Sequence, residues 1–207
     1  PSLIGDYDYH CSLIYLLKCL QITYENLRFD LFFTKIKVTK SNYCQKICSS
    51  ITNNSNKTFI LNWKGNPKNP HERNNRMMKL DNAIPLFKLR DINWIVISKD
   101  VTNYEKQILD KYNISYFGDE IDLENAFYDS ISIMRCVDAV ISTDTSLPHL
   151  SLSLGVKTYV LLTLGCEWRW TKDVTTNWYP KAVLIRQTKL KEWKDPINCL
   201  LDKLKET

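Results

Sequence analysis

The chain has 207 residues, 44% hydrophobic and 25% charged, with only five glycines; this composition belongs to a globular domain with a buried core and excludes a low-complexity linker. The net charge is +5, with lysines scattered among acids rather than gathered in a stripe, which argues against a nucleic-acid surface and suits an anionic small molecule. No apolar run approaches the roughly 18 residues of a membrane span, and the first residues lack a basic segment followed by an apolar core, so no transmembrane segment is expected and the cytoplasm is the expected location.

In chain order, Pro1–Tyr9 reads as an irregular lead-in. His10–Leu20 carries apolar residues at 13, 14, 16, 17 and 20, the spacing of a helix packed on something. Ser41–Ser50 reads as a short helix, closed by the asparagine-rich loop 52–57. The seven cysteines (Cys11, Cys19, Cys44, Cys48, Cys136, Cys166, Cys199) are widely spread, and only Cys44 and Cys48 are close, one helical turn apart rather than in a CxxC knuckle. They read as reduced core thiols, and no metal site is expected. No strand-first unit is complete before residue 57, so 1–56 reads as the mainly helical tail of an earlier domain or as an appendage to the later one, and 57–207 as a separate domain.

From Thr58 strands and helices alternate. Strands are expected at Thr58–Trp63, Asn93–Ser98, Ile114–Phe117, Ala139–Ile141, Lys157–Leu162 and Ala182–Arg186. Helices are expected at Leu80–Leu89, Asn103–Tyr112, Leu123–Arg135, after Asp144, and at Trp193–Lys205. Such alternation implies an α/β fold, a Rossmann-like parallel sheet of about six strands with helices on both faces. Ligands in such folds bind beyond the carboxyl ends of the strands. The loops expected there are polar: residues 64–76 contain Lys64, Asn66, Arg73 and Arg76, and residues 163–170 end in Trp168 and Trp170.

The stretch Val137–Val160 concentrates the chemistry. A buried strand runs into Ser142-Thr143-Asp144-Thr145-Ser146 and then a helix, with Asp144 or Thr145 as the N-cap. First-turn N–H groups and the helix dipole favour a phosphate there, and His149, one turn in, stays near the same end. The plain alternative is a capped helix with one semi-buried histidine. A crevice holding Lys64, Arg73, Arg76, this helix end and flat aromatic walls at Trp168 and Trp170 suits a diphosphate bearing a ring at each end. The two tryptophans equally fit a core. There is no GxGxxG, P-loop, GxSxG or HExxH.

The ordered segments FILNWKGNPKNPHERNNRMMKL, VDAVISTDTSLPHLSLSLGVKTYVLL, CEWRWTKD and NWYPKAVLIRQ resemble the C-terminal lobe of family 9 (heptosyltransferase-like) glycosyltransferases, in the version found at the end of bacterial tetratricopeptide-repeat proteins. The resemblance implies the two-lobed GT-B architecture, with this lobe holding a nucleotide-diphosphate sugar as substrate, and no other cofactor or metal. It matches Asp144, Thr145, Ser146 and His149 to the donor-contacting turn and helix, and Asn66, Arg73 and Arg76, with Lys64 beside them, to the phosphate-facing loop. Lys64 stands where a small residue is common, and Met77 and Lys79 where Ser and Pro are usual. The acceptor site, for a glycan or glycoconjugate, and the carboxylate base belong to the N-terminal lobe, so no catalytic residue is assigned here. A metal-independent sugar transfer is the implied activity. The alternatives are a non-catalytic binding or assembly module that lacks a full acceptor lobe, and a sugar epimerase of the GT-B kind.

Overall fold

The computed structural model describes residues 8–27, 32–70 and 76–206. Its regular elements are α1 (Leu13–Cys19), α2 (Asn42–Thr52), β1 (Lys57–Asn62), β2 (Ile92–Val96), α3 (Asn103–Lys111), β3 (Ser115–Tyr116), α4 (Tyr128–Met134), β4 (Ala139–Thr143), α5 (Ser146–Ser153), β5 (Thr158–Leu162), β6 (Ala182–Arg186) and α6 (Lys194–Lys205). The six strands form one all-parallel sheet in the order β3-β2-β1-β4-β5-β6. This is the expected Rossmann-like α/β architecture, with its topological switch between β1 and β4.

Burial explains why short apolar runs become strands. β4 and β5 are buried at every position and β1 at all but Lys57, as a parallel sheet covered on both faces requires. On one face, Phe59, Leu61, Trp94, Ile141 and Leu161 pack with α3, α6 and the turns at 80–88. On the other, Ile60, Ile95 and Val140 pack with α2 and α4, and Val160 and Leu162 with Leu152 of α5 and with Trp170. α2, which precedes β1, is thus part of this second core through Cys44, Ile47, Cys48 and Ile51. Among the described residues no helix is long and apolar enough to cross a membrane.

Three elements depart from the sequence reading. The helix expected over 80–89 is two 3-10 turns, Leu80–Ala83 and Leu86–Lys88. Pro85 sits between them, and a proline has no N–H for an i→i−4 bond, so the chain closes on i→i−3 bonds instead, as in Phe87 N–H to Ile84 C=O at 3.1 Å. The helix expected from Leu123 starts only at Tyr128, because Phe127 is left-handed at φ 66°. In α1 the apolar spacing is real but Leu13, Leu16 and Leu20 are exposed, so the described face does not pack as expected; the lead-in before residue 8 lies outside the described residues.

Candidate functional site

At the switch point, outside the carboxyl ends of β1, β2 and β4, lies a cleft of about 340 Å³. Its floor is a polar network laid down by the last residues of the strands. Asn62, ending β1 and fully buried, donates from Nδ2 to Ser142 Oγ at 2.9 Å and Thr145 Oγ1 at 3.1 Å, and its Oδ1 accepts from Ser98 Oγ at 2.5 Å. Lys64, Gly65 and Asn66 form one wall, Lys99 and Asp100 another, and Asp122, Phe127 and Ser130 a third. Asp100, Asp122 and Phe127 all have positive φ, 58°, 53° and 66°, a backbone state that costs roughly 1 kcal/mol or more for a residue with a side chain and gathers at functional sites. Gly118 is fixed by packing: a Cβ there would lie 1.9 Å from the Ser98 carbonyl oxygen. This glycine therefore sets the approach of the β3 end to the cleft floor.

The fourth wall is the start of α5, where Thr145 is the N-cap and Ser146 and Leu147 face the cleft. The helix end offers fewer donors than the sequence reading expects. The Thr145 hydroxyl already takes the Leu147 N–H at 3.3 Å, and Pro148 has no N–H. What remains is the Ser146 amide and hydroxyl and the dipole.

Asp144 does not line the cleft. At 5% exposure its Oδ1 accepts the indole N–H of Trp170 at 2.9 Å, and its Oδ2 meets Arg76 Nη1 at 3.5 Å. His149 stacks on Trp170, with ring centroids 4.7 Å apart and 24° between planes, and its Nδ1 lies 3.0 Å from the Tyr179 hydroxyl. Burial first, then the charge of Arg169, pulls the His149 pKa down to about 4, with Asp144 opposing and Arg76 adding a smaller push down. The imidazole is neutral at pH 7. Arg186, ending β6, anchors the neighbouring loop by donating to the carbonyls of Trp170, Thr171 and Asp173 at 3.3, 2.9 and 3.2 Å.

The sequence-selected residues therefore divide. Lys64, Asn66, Thr145 and Ser146 line the cleft; Arg76, Asp144, His149 and Trp170 form the cluster on the other side of the α5 start; Arg73 lies outside the described residues. Two members are already engaged within the fold. Trp170 is fully buried and serves as core rather than as an aromatic lip, because its N–H is committed to Asp144. Lys64 is 6% exposed and its ammonium is paired with Glu105 at 2.5 Å, so its charge is already neutralised. Hydrogen bonds from Lys64, Thr102 and Trp63 outweigh the opposing burial and hold the Glu105 carboxyl below its ordinary range. Trp168 is exposed, edge-on to Trp178 at 5.4 Å with the Arg169 guanidinium over it at 5.7 Å. The sequence reading passed over Asn62, Ser98, Lys99, Asp100 and Phe127. The available signal was a polar residue closing each apolar run, in TFILN and NWIVIS.

No protein-family model matches the sequence, and no curated protein matches it. Among solved structures, E. coli heptosyltransferase WaaC with ADP-2-deoxy-2-fluoro heptose is similar, at a TM-score of 0.49 and 10% identity, over 83% of this chain and 50% of its own. This chain thus spans half the length of that protein.

Proposed function

We propose that this chain binds the nucleoside-diphosphate portion of a nucleotide sugar, as the donor-side lobe of a glycosyltransferase-like protein that passes the sugar to a glycan or glycoconjugate acceptor. The observation that carries the reading is the position of the cleft. A concavity of about 340 Å³ opens at the switch point of a parallel sheet, beside a helix start bearing two hydroxyls, which is where such sheets hold nucleotides. In this reading the nucleoside occupies the cleft over Asn62 and Ser98, and the diphosphate lies along Thr145 and Ser146 toward Arg76. That guanidinium and the helix start would stabilise the departing diphosphate without a metal ion.

Residues 1–56 are then the tail of a preceding lobe, with α2 docking on this sheet, in a cytoplasmic protein of the kind that ends a tetratricopeptide-repeat chain. Glycosyl transfer also needs a base for the attacking hydroxyl, which that lobe would supply. Titration calorimetry with a panel of nucleoside diphosphates and their sugars tests the reading. Saturable heat with at least one of them is expected; its absence across the panel, with the protein folded by circular dichroism, overturns it. Labelled-donor turnover with acceptor extracts then separates a transferase from a binding module.

A further inference from the structure

Away from the cleft, α2 and α4 bring together three thiols that are scattered in sequence. Cys44 and Cys48 lie one turn apart on the face of α2 that packs on α4, with their sulfurs 3.9 Å apart. Cys44 Sγ donates to the Asp129 carbonyl at 3.7 Å. Cys48 Sγ donates to the Ser132 carbonyl at 3.6 Å, and Cys136, just beyond α4, donates to that same oxygen at 3.3 Å. Two sulfurs, one on α2 and one just past the end of α4, therefore converge on one acceptor. Cys44 is fully buried and Cys48 is 6% exposed, whereas Cys136 is partly exposed, so the trio meets solvent at Cys136.

We propose that Cys48 and Cys136 are an oxidisable pair, which a small hydroperoxide closes into a disulfide that staples α2 to the end of α4. The pair is chemically differentiated. Hydrogen bonding from Cys44 leads in favouring the Cys48 thiolate, helped by Cys136 and the charge of Lys40, against burial and the Asp129 carboxylate. Burial leads in pushing Cys136 up, with the neighbouring Cys48 sulfur adding to it and Lys40 opposing. Cys48 takes the attacking role, because the Cys44 sulfur 3.9 Å away can hydrogen-bond its thiolate, and Cys136 the resolving role. The Cys48 thiolate attacks the terminal peroxide oxygen; an S–O bond forms, the O–O bond breaks, and the alkoxide takes a proton to leave as an alcohol, or as water from hydrogen peroxide. Cys136 then attacks the sulfenic sulfur; the S–S bond forms, the S–O bond breaks, and hydroxide leaves as water with the Cys136 proton. Two thiols are oxidised by two electrons and the peroxide is reduced by two.

The test uses the whole chain and no nucleotide, so it stands apart from the binding reading. The protein is treated with one equivalent of hydrogen peroxide, its remaining thiols are alkylated, and it is digested without reductant for peptide mass spectrometry. A Cys48–Cys136 linked peptide that dithiothreitol abolishes is expected. In Cys136→Ser the cross-link is lost and dimedone traps a sulfenic acid on Cys48. The proposal is overturned by a Cys44–Cys48 bond in its place, by links confined to the exposed Cys11, Cys19 and Cys199, or by unchanged thiols in the folded protein.

Discussion

Both carboxylate oxygens of Asp144 are engaged, one by the indole of Trp170 and one by Arg76, so this side chain joins α5 to the loop at 168–170 before any ligand arrives. Asp144→Ala leaves a buried indole N–H without an acceptor and is expected to lower stability by about 1–3 kcal/mol in urea unfolding. Asp144→Asn retains one oxygen for Trp170 and should lose less than the alanine variant. Arg76→Ala acts differently under the proposed function: nucleoside-diphosphate affinity falls by roughly 1–3 kcal/mol in calorimetry, as for loss of a charge-assisted contact. His149 makes a pH prediction. Its folded pKa of about 4 lies below its ordinary 6.5, so the unfolded chain takes up a proton that the native ring refuses. The stabilising contribution is complete above 6.5 and is lost as pH falls toward 4, by up to about 3 kcal/mol. Urea midpoints between pH 7 and 5 should show this slope in the native protein and not in His149→Phe. Glu105 and Asp129, held below their ordinary 4.5 and 3.8, add losses only under those values.

Among the elements, α3 has the best-defined start, a capping box in which Thr102 accepts from the Glu105 N–H and Glu105 accepts from Thr102. The same carboxylate takes the Trp63 indole N–H at 2.7 Å and the buried Lys64 ammonium, so one helix cap also fixes the beginning of the loop that borders the cleft. Glu105→Ala removes the return half of the capping box and strands a buried cation, a loss of about 3 kcal/mol or more by thermal or chemical unfolding. Gly118→Ala forces the β3 end away from the Ser98 carbonyl and is expected to cost about 1–3 kcal/mol. Buried strands were legible as apolar runs, and α3 and α6 as amphipathic periods, because there local pattern and tertiary burial agree. The late start of α4 was not, since Phe127 has no sequence mark of a left-handed residue. Pro85 did mark the break at 80–88, and the apolar periodicity around it concealed that.

A parallel sheet of about six strands followed from alternation, but the order β3-β2-β1-β4-β5-β6 and its switch point did not, because right-handed crossovers fix the hand of each connection and not which edge the next strand joins. The cleft was legible as a place, beyond the strand ends, but its division from the Asp144 cluster was not. Trp170 meets Asp144 across 26 positions and Asn62 meets Thr145 across 83, and no local pattern reports such pairings. The same organisation predicts that amide hydrogen exchange is slowest in β1, β4 and β5, which have neighbours on both sides and no exposed face. One consequence concerns the order of synthesis. Asn62 and Ser142, 80 positions apart, are partners at the very middle of the sheet, so a chain leaving the ribosome carries β1 with one greasy edge open until β4 has emerged. The nascent first half is accordingly the aggregation-prone stage of this protein's life, and ribosome-arrested chains ending before residue 139 should be far more protease-sensitive than those extended past β5.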